Sequence, residues 1–142
     1  MDLQSIISEV KTLARETGRF IAEQRKNFDS SRVESKQSHD YVSYVDKECE
    51  RMIVSRLKEI LPQAGFITEE KTIAQDDGSK ELYWIVDPLD GTTNFIHDLA
   101  PYSVSIALRD SKDLLLGVVY EVTRDELYSA AKGQGAYLND RA

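Results

Sequence analysis

The hydrophobic pattern changes at Gly65, and this change limits the possible folds more than any other feature of the chain. Before Gly65, apolar residues recur every three or four positions in two long segments, which is the spacing of amphipathic helices. The first segment covers residues 3–28. The second helix is predicted to begin near Asp46 and to end before Pro62, and the polar residues 29–40 between the two helices are predicted to form a loop.

After Gly65, short apolar runs alternate with turn residues, which is typical of strands. The first two runs cover residues 66–68 and 82–86, and the second of them contains Trp84. Three further strands, joined by hairpin turns, are predicted at residues 103–108, 114–122 and 126–131. Two long helices followed by a strand-rich half indicate an α+β layered domain with a mostly antiparallel sheet.

Composition narrows the functional classes. The chain has 142 residues, enough for one modest domain, and a formal net charge of -7. This charge disfavours binding to nucleic acid or to an anionic membrane, but it permits binding of a phosphorylated small molecule through divalent cations. The single cysteine, Cys49, cannot form an internal disulfide, and no apolar run is long enough to span a bilayer. Because the N-terminus is also unlike a signal peptide, we expect a cytoplasmic protein.

The segment from Asp87 to Gly91 carries the strongest chemical signal. Asp87 follows a buried apolar run, and Pro88 restricts the backbone so that a turn is expected there. Asp90 comes after that turn, so two carboxylates and the carbonyl of Leu89 can converge. Hard cations such as Mg²⁺ prefer oxygen ligands of this kind, and Gly91 lets the backbone approach a ligand closely. The same residue types also form ordinary turns, so the motif alone leaves both interpretations open.

Other candidate residues flank this motif. Residues 92–94, Thr-Thr-Asn, are typical of a helix start, where free backbone N–H groups can bind phosphate. Glu69 and Glu70 end a predicted strand, although paired glutamates are more often solvated surface. Asp46 stands at the predicted start of the second helix, where it could simply be an N-cap.

Three segments in this order resemble the inositol monophosphatase family: residues 40–46 (DYVSYVD), 66–70 (FITEE) and 84–97 (WIVDPLDGTTNFIH). The resemblance extends over essentially the whole chain. It implies the layered helix and sheet fold of the lithium-sensitive, Mg²⁺-dependent sugar phosphatases, of which residues 1–142 would supply the N-terminal portion. It also implies a homodimer in the full-length protein, and a small phosphorylated substrate such as an inositol phosphate.

The resemblance further implies which residues bind metal. Glu69, Asp87 and the carbonyl of Leu89 would bind a first Mg²⁺. Asp87 would bridge to a second Mg²⁺, which Asp90 would also bind. Glu69 would in addition help to hold a third metal position that is rich in water.

The remaining implied roles concern the reaction and the substrate. Thr92 would orient the attacking water together with Glu69, and Asp46 would hold the hydroxyl of Thr92. The N–H groups of Gly91 and Thr92 would bind the substrate phosphate, with Asp90 on the substrate side of the site.

One feature departs from the family pattern. The family completes its second metal site with an aspartate from a Trp-Asp motif further along, whereas the single tryptophan here, Trp84, is followed by Ile85. We therefore expect the chain to be truncated at its C-terminus and to have little activity alone. The resemblance also implies that Glu70 supports the metal ligands or lies on the substrate side, and Lys36 matches a family lysine in a loop near the metals, with no role assigned.

The predicted function is Mg²⁺-dependent hydrolysis of a phosphate monoester by a metal-activated water, with inositol monophosphate as the expected substrate. The alternative enzymes are a nucleotide 3'-phosphatase or a fructose bisphosphatase of the same superfamily, and residues 91–95 (GTTNF) favour the inositol type over both. An alternative of another class is a regulatory module that binds the transcription machinery.

Overall fold

The computed structural model of the chain describes residues 1–28, 35–68 and 79–142, with the backbone alone at residues 35–39. Helices and strands follow one another along these ranges as α1 (Leu3–Asn27), α2 (Ser35–Ile60), β1 (Gly65–Thr68), β2 (Tyr83–Asp90), α3 (Thr92–His97), β3 (Ser103–Arg109), β4 (Leu114–Glu121), β5 (Glu126–Ala131) and β6 (Ala136–Leu138). The predicted α+β class is confirmed.

Helix α1 forms where the apolar spacing predicts it. The carboxylate of Asp2 accepts hydrogen bonds from the N–H groups of Gln4 (3.1 Å) and Ser5 (3.3 Å), which satisfies free donors at the helix start. Further along, a Cβ on Gly18 would fall 2.2 Å from the ring of Tyr120, so glycine lets α1 approach β4 closely. In the part of the chain that the structure describes, no helix has the length and apolar character needed to cross a membrane.

Helix α2 begins at Ser35, well before the predicted start near Asp46, so the prediction of a loop over residues 35–40 is wrong. Those residues lack an apolar period, but polar residues cost a helix little when tertiary packing holds it. Tyr41 supplies such packing, because its ring stacks on Phe28 at 4.9 Å between centroids and its hydroxyl donates to a carbonyl oxygen of α1 at 3.0 Å. This contact packs α2 against the end of α1 before the start predicted for α2 near Asp46.

The six strands form one sheet in the order β1-β2-β3-β4-β5-β6. Strands β1 and β2 are parallel, and all other neighbouring pairs are antiparallel, as the predicted sheet requires. Helix α1 packs on β3, β4 and β5, and α2 packs on β2. Inward-facing side chains alternate along the strands and form the core beneath these helices. The largest of them that are fully buried are Trp84, Ile106, Leu108, Leu116 and Leu127.

Strands β1, β3, β4 and β5 match their predicted bounds to within one residue. The predicted turn between β3 and β4 is held by the carboxylate of Asp110, which accepts hydrogen bonds from the N–H groups of Asp113 (2.7 Å) and Lys112 (2.8 Å). These two hydrogen bonds lower the pKa of the Asp110 carboxyl. Cys49 is fully buried, as its place on an apolar helix stripe predicts, and burial raises the pKa of its thiol.

The sheet face away from α1 and α2 is more open to solvent. Three of its large apolar side chains, those of Ile67, Val119 and Tyr128, are 38–44% exposed. The open face matters for the site described next, because Asp87 and Asp90 lie on this side of β2.

Candidate active site

Strand β2 carries the two carboxylates of the acidic motif. The predicted turn at Pro88 is wrong, since β2 continues as a strand to Asp90. Asp87 lies opposite Ser105 on β3, and the regular pairing is then interrupted. When pairing resumes, Asp90 lies opposite Ser103, so β2 carries one extra residue in this interval. Such a bulge tolerates proline, which has no N–H to donate to the neighbouring strand.

This bulge decides where the two carboxylates point. In a regular strand, residues three apart face opposite sides of the sheet. Ser103 and Ser105 are two apart on β3 and share a face, so the extra residue in β2 brings Asp87 and Asp90 to that same face. Asp87 is half-buried and Asp90 is exposed, whereas Leu89 between them is buried.

The predicted third carboxylate, Glu69, lies outside the described residues, as does Glu70. The described chain stops just before it, at Thr68. Strand β1 runs parallel to β2, and Thr68 lies opposite Val86. In the sequence, Glu69 directly follows Thr68 and Asp87 directly follows Val86. Both carboxylates therefore come immediately after two residues that lie opposite each other in parallel strands.

Gly91 connects β2 to α3 in a conformation that requires glycine. Its φ is +95°, which residues with a side chain rarely adopt, and a Cβ there would lie 2.8 Å from the carbonyl oxygen of Pro101. The first helical hydrogen bond of α3 runs from the N–H of Phe95 to the carbonyl of Gly91 at 2.9 Å. The N–H groups of residues 92–94 precede that bond and have no acceptor within the helix, so they are available to an anion.

Asn94 holds the following loop against Gly91. Its side-chain Nδ2 donates to the carbonyl oxygen of Pro101 at 2.9 Å, and its own carbonyl accepts from the N–H of Leu99 at 2.8 Å. From the sequence pattern, Asn94 was predicted only to lie at the start of a helix. Its contact with Pro101 was missed because the contact depends on how the chain returns after α3, which no local pattern records.

Tyr102 attaches the end of α3 to the core. Its hydroxyl donates to Asp98 Oδ1 at 3.1 Å, and its ring meets the ring of Phe95 edge-on at 5.5 Å between centroids. Burial, together with the hydrogen bond to Asp98 and the charge of that carboxylate, raises the pKa of Tyr102 to about 12. The hydroxyl therefore stays protonated at neutral pH. Arg25 of α1 lies 3.9 Å from the same carboxylate and so links α1 to this loop.

Glu121, buried at the end of β4, supports the same loop from the other side. Its carboxylate accepts hydrogen bonds from the N–H groups of Tyr102 (3.2 Å) and Arg124 (2.7 Å) and from the hydroxyl of Thr123 (2.6 Å). Burial by itself raises the pKa of this carboxyl, but the hydrogen bonds from Thr123, Arg124 and Tyr102 outweigh burial. The net pKa of Glu121 lies below its ordinary value of 4.5.

Asp46 lies within α2 and is 5% exposed, so its interpretation as an N-cap is wrong. Helix α2 packs against α3, the helix that begins with Thr92. A hydrogen bond between Asp46 and the Thr92 hydroxyl remains a prediction. His97 is exposed at the end of α3, and the side chain of Lys36 lies outside the described residues.

The described residues include some of the oxygen donors that the sequence predicts for a metal site. Across residues 1–28, 40–68 and 79–142, no three His, Cys, Asp or Glu side chains lie close enough together to hold a metal ion. Asp87, Asp90 and the carbonyl of Leu89 are all oxygen donors, a chemistry that fits a hard divalent cation such as Mg²⁺. The predicted ligand that would complete this set, Glu69, is outside those ranges.

Comparison with known protein families establishes the class of this chain. It belongs to the inositol monophosphatase family, whose profile matches residues 2–142. This match confirms the resemblance of the three sequence segments on which the prediction rested.

Individual relatives agree with that assignment. The Inositol-1-monophosphatase of Mesorhizobium japonicum is 36% identical over 141 residues, which cover 99% of this chain and 53% of the relative. The Nus factor SuhB of Escherichia coli is 41% identical over 127 residues, which cover 89% of this chain and 47% of that relative. Among solved structures, inositol monophosphatase-II from Staphylococcus aureus superposes with a TM-score of 0.81 at 31% identity. The superposition covers 96% of this chain and 50% of the Staphylococcus protein. The chain thus spans about half the length of the relatives it matches.

Proposed function

We propose that the site at the end of β2 serves Mg²⁺-dependent hydrolysis of a phosphate monoester, with inositol monophosphate as the substrate. The observation that carries this proposal is the bulge that brings Asp87 and Asp90 to the same face of the sheet. On a regular strand their three-residue spacing would separate them, and they could not serve one metal centre. Membership of the inositol monophosphatase family gives independent support.

Asp87, Asp90 and the Leu89 carbonyl would hold Mg²⁺ together with Glu69. When bound, Mg²⁺ would neutralise the phosphate oxygens and make a water acidic enough to attack near neutral pH. The register of β1 and β2 supports the role of Glu69, because Glu69 directly follows Thr68, the partner of the residue before Asp87.

Three side chains would control the attacking water. Glu69 and Thr92 would orient it, with Glu69 as the group that takes its proton. Asp46 would accept a hydrogen bond from the Thr92 hydroxyl and so hold the threonine in one rotamer. The burial of Asp46 and the packing of α2 on α3 support this arrangement.

The substrate phosphate would be bound by backbone donors. The N–H groups of Gly91 and Thr92 precede the first hydrogen bond of α3, so they have no acceptor within that helix. Asp90, exposed beside them, would lie on the substrate side of the site.

The choice of inositol monophosphate rests on residues 91–95 and on the name of the Mesorhizobium relative. The rival substrates are a nucleotide 3'-phosphate and fructose bisphosphate. Inhibition by lithium and a homodimer belong to the same proposal, because the family resemblance implies them. A cytoplasmic location is proposed as well, on the separate ground of the single cysteine.

A titration of the ¹⁵N-labelled chain tests the proposal at the level of binding. Mg²⁺ is expected to shift the amide signals of residues 87–90, and inositol monophosphate is then expected to shift Gly91 and Thr92 only when Mg²⁺ is present. Asp87→Asn should abolish both responses, whereas Glu81→Gln, an exposed carboxylate just before β2, should leave them unchanged. Equal binding of inositol monophosphate in the presence of a chelator would contradict the proposal. Parallel titrations with a nucleotide 3'-phosphate and fructose bisphosphate rank the rival substrates.

A second candidate function is a role in a transcription complex. It is favoured by one observation, the 41% identity to a relative named Nus factor SuhB. The negative net charge makes protein partners more suitable than nucleic acid. Capture of purified RNA polymerase and Nus proteins on the immobilised chain, with Asp87→Asn beside the wild type, tests this function. Capture that is equal for both chains would show a binding role independent of the metal site, and no capture would exclude it for this chain.

A further inference from the structure

The peptide group that joins Pro101 to Tyr102 contacts two distant parts of the chain. Its oxygen, the carbonyl oxygen of Pro101, accepts a hydrogen bond from Asn94 Nδ2 at 2.9 Å and lies 2.8 Å from the position that a Cβ on Gly91 would occupy. Its N–H group, which belongs to Tyr102, donates to Glu121 Oε1 at 3.2 Å. Because a peptide group is planar, a partner that fixes the N–H also fixes the direction of the carbonyl.

The carboxylate of Glu121 is held in one place at the end of β4. The residue is 5% exposed. Its Oε1 also accepts a hydrogen bond from the hydroxyl of Thr123 at 2.6 Å, and its Oε2 accepts one from the N–H of Arg124 at 2.7 Å. These two donors lie in the turn that follows β4, so the turn fixes the carboxylate and the carboxylate in turn fixes the N–H of Tyr102.

Gly91 transmits the position of this peptide group to the site. A Cβ on Gly91 would also lie 3.4 Å from the Cα of Tyr102, so the backbone of Gly91 packs closely against the returning loop. Closely packed groups shift together, because the interior has little free space. The N–H groups of Gly91 and Thr92 come directly after β2 and precede the first hydrogen bond of α3, so their direction follows the position of Gly91.

We propose that Glu121 is a positioning residue for the N–H groups of Gly91 and Thr92 and acts on them through the peptide group between Pro101 and Tyr102. This role rests on the proposed function, in which those N–H groups bind the substrate phosphate. Glu121 need not touch the phosphate, since protein donors already satisfy its carboxylate. Donors that are fixed before binding lose less freedom when the ligand arrives, so loosening them should weaken phosphate binding and leave the metal ligands unaffected.

Glu121→Asp separates the contact with Tyr102 from the contacts within the turn. An aspartate accepts hydrogen bonds from the N–H groups two and three residues further on, as Asp110 does in the turn after β3, so the contacts with the backbone of Thr123 and Arg124 can persist. The loss of one CH₂ group withdraws the carboxylate from the N–H of Tyr102. Thr123→Val is the matched control, because it removes a hydrogen bond to Glu121 but leaves the contact with Tyr102 in place.

The probe is inorganic phosphate, titrated into the ¹⁵N-labelled chain in the presence of Mg²⁺ and followed at the amide signals of Gly91 and Thr92. Glu121→Asp should weaken phosphate binding about tenfold, the size expected for one hydrogen bond, without changing the affinity for Mg²⁺. Thr123→Val should change neither affinity. Without any ligand, Glu121→Asp should also shift the amide signal of Gly91 and the side-chain amide signals of Asn94, whereas Thr123→Val should not. Equal phosphate affinity in Glu121→Asp and wild type, or unshifted ligand-free signals, would overturn the proposal.

Asn94→Ala provides a second test, because it releases the oxygen of the same peptide group. Combined with Glu121→Asp, it should weaken phosphate binding by less than the product of the two single effects, since both variants act on one group. Effects that multiply would show independent action and refute the proposal. If the wild-type chain gives no phosphate-dependent shift, the proposed function fails instead. The ligand-free signals of Gly91 and Asn94 would then still decide whether Glu121 positions this segment.

Discussion

The carbonyl oxygen of Pro101 lies so close to Gly91 that a Cβ on the glycine would be 2.8 Å from it. That oxygen is not free to retreat, because Asn94 Nδ2 also donates to it at 2.9 Å. The start of α3 and the loop that returns from it therefore hold each other in place. The backbone donors proposed to bind phosphate depend on this arrangement.

Replacing Gly91 with alanine should destabilise the chain by about 3 kcal/mol, because the positive φ and the approach to Pro101 both penalise a side chain. Gly133→Ala is the matched control, since Gly133 has a φ of +77° but no atom within 4 Å of the position that a Cβ would occupy. That control should cost only about 1 kcal/mol. Urea denaturation measures both values, and equal losses would show that the contact with Pro101 is unimportant.

Asn94→Ala should lower the free energy of unfolding by about 1 kcal/mol, because it removes the hydrogen bond to Pro101. Asn94→Asp should be at least as damaging at neutral pH, since it keeps the shape but places a carboxylate against the same carbonyl oxygen. Denaturation of the two variants at pH 7 tests this order. An aspartate variant more stable than the alanine variant would mean that the side chain does not face Pro101.

Tyr102 contributes through both its ring and its hydroxyl, and two variants separate them. Tyr102→Phe removes only the hydrogen bond to Asp98 and should cost about 1 kcal/mol. Tyr102→Ala also removes the edge contact with Phe95 and should cost about 4 kcal/mol. Thermal unfolding of the pair measures the difference, and a phenylalanine variant as unstable as the alanine variant would assign the stability to the hydroxyl instead.

Glu121→Gln should destabilise the chain above pH 4.5, the ordinary pKa of the carboxyl, because the lowered pKa in the folded state means that folding favours the ionised form. As pH falls below 4.5 and through the lowered folded pKa, the carboxylate becomes protonated and the advantage of the wild type should disappear. Urea midpoints measured between pH 7 and acid test this, with the exposed Glu81→Gln as control. A difference that grows as pH falls would contradict the sign of the shift.

In the full-length protein, Thr92→Ala should slow Mg²⁺-dependent phosphate release about 100-fold, with little change in Mg²⁺ affinity, because the proposed role of the hydroxyl is to orient water. Thr92→Ser retains the hydroxyl and should remain within a few-fold of the wild type. Rates measured with inositol monophosphate, beside Mg²⁺ titrations of each variant, make the comparison. Near-normal turnover in the alanine variant would mean that Thr92 only begins α3 and does not orient the attacking water.

Several features followed from the sequence by itself. The order of helices and strands was predictable because apolar periodicity is a local property, and the strands from β3 to β5 fall within one residue of their predicted bounds. The family was also predictable, since the acidic segments and the GTTNF stretch occur together and in order. The Asp87–Gly91 segment was correctly singled out as the place where a strand meets a helix.

Only the tertiary structure decided how those parts meet. Helix α2 packs at Tyr41 on Phe28, at the end of α1, before its predicted start near Asp46, and a search for apolar spacing cannot detect such a contact between separate segments. The common direction of Asp87 and Asp90 depends on the pairing with β3, because a bulge exists only relative to a neighbouring strand. Side-chain direction in a sheet is set by register across strands, and register is a relation between distant parts of the chain.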